Sequence, residues 1–169
     1  MTEINDITRI GQQEQQLVFA RFNESDAWKL GSTLYEMASE RGLGVVIDVR
    51  RPGNTLFGQP LFYAALPGTT PDHPDWIRRK SNLTLRFHRS SYAIGLEMLE
   101  KKSTVTDRYG LALADYASHG GSVPIRVEGA GVVGAVTVSG LPQRADHELV
   151  IEALCLRTGK DYETLRLPS

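Results

Sequence analysis

Two runs of β-branched residues constrain this chain most: Val45-Val46-Ile47-Asp48-Val49 and Val132 to Val138. The first has few polar interruptions, which suits an interior strand. Pro52-Gly53-Asn54 follows as turn chemistry, because proline presets one dihedral and glycine and asparagine tolerate positive φ. Thr55 to Leu66 then reads as extended, bent near Gly58 and Pro60, and completes a hairpin. Pro124-Ile125-Arg126-Val127 pairs with the second run around Glu128-Gly129-Ala130-Gly131. Leu17 to Ala20 adds a short strand. Hairpins prevail over regular crossover helices, so the expected class is α/β (α+β): a five-stranded antiparallel sheet with helices packed on it.

The helical pattern fills the intervals. Thr2 to Gln16 carries Ile4, Ile7 and Ile10 at a spacing of three. Asn23 or Ser25 caps a helix whose apolar face is Ala27, Leu30, Leu34, Met37 and Ala38, stopped by Gly42. Asp72-His73-Pro74-Asp75 opens a helix running to about Arg89, and Ser90 or Ser91 caps another carrying Ile94, Leu96 and Leu99. Ala112 to Ser118 is predicted as a short helix ended by Gly120-Gly121. Pro142 begins the last helix, with Ala145, Leu149, Ala153 and Leu156 as its buried stripe. The 169 residues suit one domain, with 1–16 as an N-terminal helical segment and 158–169 as a C-terminal tail.

Nineteen Lys and Arg against 20 Asp and Glu give a formal charge of −1, which argues against a nucleic-acid partner. No apolar stretch reaches the roughly 20 residues of a membrane span, and no apolar signal core precedes Leu17. Cys155 alone forms neither an internal disulfide nor a zinc site. The expected setting is reducing and cytoplasmic. Cys155 sits in the apolar run Ile151 to Leu156 and reads as an inert buried thiol.

Gly129-Ala130-Gly131-Val132-Val133-Gly134 matches G-x-G-x-x-G, but a strand pattern follows it, so the glycines read as a hairpin turn and not a dinucleotide site. Asp146-His147-Glu148 is not a helical metal chelate, because neighbours on a helix point about 100° apart. Arg78, Arg79, Lys80, Arg86, His88 and Arg89 form a basic cluster with no acidic residue between Trp76 and Tyr92. It suits recognition of an oxyanion or a salt-bridged subunit contact.

His119-Gly120-Gly121-Ser122-Val123-Pro124-Ile125, then Gly131 to Gly140, then Asp146-His147-Glu148 follow one another in an order that resembles the GlcG/HbpS-like haem-degrading domain family, specifically its branch of short uncharacterised proteins. Trp76 with Arg79-Lys80, and Ser90-Ser91 after Phe87, add to the likeness, which runs from about Leu17 to Leu156. The resemblance implies a profilin-like α/β/α architecture and a homo-oligomer built as a ring or stacked rings. Haem is the cofactor it implies, with haem degradation as the activity. On that reading Lys80, Arg86 or Arg89 meets the propionates, and His88, His119 or His147, or only solvent, meets the iron. The alternative is a non-enzymatic assembly protein whose basic helix forms subunit or partner contacts.

Overall fold

The computed structural model describes residues 2–169 in backbone and 6–169 in side chains. Its elements are α1 (Thr2–Gln16), β1 (Val18–Phe19), α2 (Glu24–Glu40), β2 (Val46–Arg51), β3 (Gln59–Ala65), α3 (Asp72–Phe87), α4 (Ser91–Glu100), α5 (Val105–Tyr109), β4 (Ser122–Val127), β5 (Gly131–Ser139), α6 (Gln143–Thr158) and α7 (Tyr162–Leu165). The strands form one sheet in the order β1-β4-β5-β2-β3. Both expected hairpins form, and β2 joins β5 antiparallel between them. The sheet is nevertheless mixed, because β1 runs parallel to β4. Tight turns dictate antiparallel pairing only for β2–β3 and β4–β5; β1 reaches its neighbour from a distant part of the chain, and no turn sets its direction.

Alternation along the strands gives the sheet two unlike faces. Ile47, Val49, Val123, Ile125, Val136 and Val138 pack with α2 and α6 in the main apolar core. The other face meets α3 and α4 and is polar. Asp48, Thr137 and Ser122 stand in one row across β2, β5 and β4. Thr137 Oγ1 donates to Ser122 Oγ at 2.9 Å, and Ser91 Oγ on α4 accepts from Ser122 N at 3.1 Å. Arg50 grips Asp48 with two bonds of 2.6 and 2.8 Å and donates to Phe57 O at 2.7 Å. Each buried polar group in this row is thereby satisfied, which burial demands.

Asn23, not Ser25, caps α2, receiving the Ser25 and Asp26 N–H groups while Asp26 returns a bond to Asn23 N. The predicted face of α2 is buried, together with Gly31. A Cβ on Gly31 would lie 2.2 Å from the Phe62 ring, so glycine is what lets α2 settle on β3.

Several local expectations are corrected. Residues 112–118 are irregular, because α3 claims their backbone: Arg79 Nε donates to Leu113 O, Asn82 to Asp115 O, and Ala117 N to Arg79 O. The helix lies earlier, as α5, between Thr104 as its cap and Gly110 in the left-handed region. α3 stops at Phe87, where His88 takes φ 54. Leu99 and Leu156 face solvent, at 60% and 63% exposure. Ala145 is exposed too, so α6 is rotated to bury Asp146, Val150 and Leu154 beside the expected Leu149 and Ala153. Residues 158–169 include α7 and bury Leu165 and Leu167. Ile10 is buried and Ile7 half-buried, whereas the side chain of Ile4 lies outside the described residues. No described helix is long and apolar enough to cross a membrane.

Gly31→Ala is expected to lose about 1–3 kcal/mol of stability through overpacking against Phe62. Gly11→Ala on α1, where a Cβ meets nothing within 4 Å, is expected to gain up to about 1 kcal/mol from helix propensity. Urea denaturation of the two variants beside the parent checks the contrast.

Candidate functional site

The polar face of the sheet ends in a cavity of about 260 Å³ between the first turns of α3 and α6. Lys80 enters its floor from α3 and Asp146 from α6. Their side chains meet at 3.0 Å, Nζ to Oδ2, with exposures of 4% and 1%. Nζ also donates to Val138 O at 3.3 Å, and Asp146 Oδ1 accepts from Leu141 N at 2.9 Å. Burial lowers the Lys80 pKa and raises that of Asp146; in each case the partner's charge opposes the shift. An ammonium has three donors, and these bonds engage two of them.

Gly121 makes the floor possible. It holds φ +131, and a Cβ there would lie 2.9 Å from Lys80 Nζ and 2.3 Å from Val138 O. Gly120-Gly121 is thus a close crossing of the chain into β4, where the sequence suggested the end of a helix.

Trp76 stands at the rim. The His119 ring meets it edge-on with centroids 5.1 Å apart, and Arg79 Cζ lies 4.6 Å from its ring centroid. Trp76 Nε1 donates to Asp72 Oδ2 at 3.0 Å. Partial burial, followed by the Lys80 and Arg79 charges, lowers the His119 pKa, so its imidazole is neutral near pH 7. Pro71 and Pro142 precede α3 and α6, and neither helix has a side-chain cap. The first turns of α3 and α6 therefore converge on the cavity with Lys80, their positive ends set against the Asp72 and Asp146 carboxylates that also line it.

The structure brings Lys80 and His119 to this cavity and places the other expected residues elsewhere. Arg86 lines a groove with Leu56, Asn82 and Tyr116. Arg89 pairs with Glu97 and borders a third depression with Glu14 and Arg126. His88 is exposed, and its carbonyl accepts from Arg126 at 2.6 Å. His147 is wholly buried: Nε2 donates to Gln13 Oε1 at 2.8 Å, and Nδ1 has no hydrogen-bond partner. Burial and the Arg144 charge push its pKa down to about 3. Asp146, His147 and Glu148 fan out to Lys80, to Gln13 of α1, and to Tyr162 of α7. Among the described residues they form no cluster that could hold a metal ion.

The basic cluster is largely neutralised by acids outside its own stretch. Arg78 pairs with Asp75 and Asp115, Lys80 with Asp146, and Arg89 with Glu97. Sequence reasoning missed Asp146 as the partner of Lys80, because 66 positions separate them. The Gly-rich motif is a turn, with Gly129 and Gly131 at φ +75 and +78 and β5 following. Cys155 is buried and its pKa pushed up to about 11, in keeping with an inert thiol.

Lys80→Met alone is expected to cost about 3–5 kcal/mol, since it strands a buried carboxylate. Lys80→Met combined with Asp146→Leu is expected to recover a large part of that loss in the same denaturation assay. His147 titrates the opposite way from a paired histidine. Its folded pKa of about 3 lies below the unfolded value of about 6.5, so its contribution is complete above about pH 6.5 and is lost as the pH falls toward 3. Stability measured from pH 6.5 to 4 is expected to fall less steeply in His147→Gln than in the parent, by up to about 1.4 kcal/mol per pH unit.

The chain is 58% identical over 168 residues to a UPF0303 protein of Acidobacterium capsulatum, covering 99% of each chain. It is also 58% identical over 167 residues to a UPF0303 protein of Rhizobium etli, covering 99% of this chain and 98% of that one. Among solved structures, the Ybr137w protein superposes with a TM-score of 0.81 at 26% identity, over 90% of this chain and 87% of the other. A PduOC:heme complex shares the fold at a TM-score of 0.66 and 13% identity, over 79% and 93%. The model of the family described as "Haem degrading protein HbpS-like" matches residues 22–155, and the chain belongs to that family.

Proposed function

We propose that this protein is a homo-oligomer whose subunits bind a carboxylate-bearing ligand in the Lys80–His119 cavity, with haem as the member of that class the family favours. The observation that carries the reading is the convergence of Lys80 and two uncapped helix ends beside a neutral imidazole. The donor set suits a haem: a cation for a propionate, a nitrogen donor at His119, and the Trp76 ring for apolar contact. At about 260 Å³ the cavity is smaller than the roughly 300–1,000 Å³ that encloses a whole ligand. Only the acidic edge of a large ligand enters; the rest lies over the rim.

Each residue then has a defined part. Lys80, held upright by Asp146 and Val138 O, offers its remaining N–H to the carboxylate. His119 makes no hydrogen bond among the described residues and meets the ligand with a neutral ring. Arg79 is anchored at Leu113 O and adds positive potential beside Trp76. Bound haem would supply an iron with an open position for oxygen, which is the chemistry haem degradation needs. A scaffold that uses the basic helix for partner contacts is the weaker reading, since most of those cations are engaged within the chain.

Haemin titration followed at the Soret band, with albumin as a control, tests the proposal. A saturable shift at a fixed ratio per subunit is expected. His119→Ala is expected to weaken it roughly tenfold or more, equivalent to about 1.4 kcal/mol, while His88→Ala leaves it unchanged. An unsaturable response, or a His119→Ala titration matching the parent, would overturn the assignment. Adding a reductant to the saturated protein then tests for degradation through loss of the band.

A further inference from the structure

The second half of β3 leaves the edge of the sheet without the usual protection. Exposed edges are ordinarily blunted by charge, especially lysine, or by bulges and proline. β3 reads Gln-Pro-Leu-Phe-Tyr-Ala-Ala; it has no charge, and its proline and the bulge opposite Val49 and Arg50 both lie in its first half, leaving Phe62 to Ala65 in regular register. Among the described residues it pairs with β2 alone. Leu66 N donates to Val45 O at 3.0 Å, and the Ala65–Val46 pairing continues that register. Residues of an antiparallel strand alternate between bonding the neighbour and turning away. Tyr63 and Ala65 therefore direct their N–H and C=O groups out of the sheet.

Aromatic surface surrounds this free edge. Trp28 is 64% exposed, Tyr35 43% and Tyr63 49%. Trp28, Tyr35, Phe62 and Tyr63 line a mostly apolar groove of about 340 Å³ between α2 and β3, with Glu36 of α2 as the charged residue on its helix side. Trp28 is braced edge-on against Phe62, with centroids 5.4 Å apart, so the groove wall is a fixed surface. Leu56 and Phe57, in the turn leading into β3, are also at least half exposed.

We infer that β3 pairs with β3 of a second copy of this chain, antiparallel about a two-fold axis, joining two sheets into one. This rests on the homo-oligomer reading above and names the surface that makes the first contact. The occupant follows from the charge pattern. A two-fold axis sets a strand against itself, so any charge on it would face its own copy. A neutral strand with outward N–H and C=O groups is self-complementary in a way a charged one is not. The area is also of the right order. The exposed parts of Trp28, Tyr35 and Tyr63 amount to roughly 300 Å², a sizeable share of the roughly 800 Å² that each partner gives to a stable interface. The strand backbone with Leu56 and Phe57 adds to it.

Sedimentation velocity of the full chain tests this, with Tyr63→Lys, Tyr63→Glu and Trp28→Ala beside the parent. Both positions are exposed, and circular dichroism confirms that each variant is folded. The expected result is that Tyr63→Lys and Tyr63→Glu each fall to a smaller species than the parent, and that mixing the two restores the parent's size. Trp28→Ala is expected to weaken assembly at low concentration. A parent that sediments as an 18.7 kDa monomer overturns the homo-oligomer reading and this interface with it. A parent assembly that persists unchanged in all three variants overturns the β3 interface alone. Should the Tyr63 variants fail to fold, Trp28→Ala decides, and an assembly unchanged on dilution counts against the interface.

Discussion

The ion pair between Lys80 and Asp146 holds the two helix layers to each other across the end of the sheet. Lys80 comes from α3, Asp146 from α6, and the carbonyl of Val138 on β5 completes the junction. Two charges this deeply buried are costly unless every remaining bond is made. Here the carboxylate also takes Leu141 N, which fixes the turn between β5 and α6. The same bonds that secure the turn open the cavity, since they hold the two helix starts on either side of a cation. On the proposed reading, stability and ligand binding share one set of atoms.

The division of the sheet into an apolar and a polar face follows from the same logic. Ile47 and Val49 give their face to a dry core under α2 and α6. Asp48 and Arg50, on alternate positions of β2, pair with each other on the opposite face, beside hydrogen bonds that run from Thr137 through Ser122 to α4. Hydrophobic packing tolerates sliding, whereas a connected polar layer has one satisfied arrangement. Thr84 of α3 joins it, its Oγ1 donating to Ser122 O at 3.3 Å, and so ties the helix that carries Trp76 and Lys80 to the sheet. A second polar tie, from Gln13 to His147 and Leu165 O, fastens α1 and the C-terminal residues to α6. Both of those segments lie outside the part that the family model matches.

Much of the fold was legible in the sequence because its signals are local. The hairpins around Pro52-Gly53-Asn54 and Gly129-Ala130-Gly131, the Asn23 cap and the face of α2 all depend on neighbours a few residues away. β1 was read as a strand, yet its parallel pairing depends on β4, far along the chain. Residues 112–118 carry a helical composition, but Arg78, Arg79 and Asn82 of α3 take their carbonyls, and no periodicity records that competition. The cavity was not legible in the same way. Lys80 was one of three candidate cations and His119 one of three candidate imidazoles, with no local signal to separate them from the others. Nothing in their spacing said that Asp146 would neutralise Lys80, or that Arg86 and Arg89 would turn into separate grooves. The charge count from Arg78 to Arg89 treated six groups as one patch, whereas α3 and the turn after it direct Lys80, Arg86 and Arg89 to different sides.

The most direct test of the Lys80–His119 cavity is a nuclear magnetic resonance titration with iron-free protoporphyrin, which offers the carboxylates without a paramagnetic metal. The ring resonances of His119 and the indole N–H of Trp76 are expected to move together and saturate, with His88 and the resonances around Arg89 unmoved. Movement centred on His88 or Arg89, or none at His119 and Trp76, would contradict the placing of the ligand between α3 and α6.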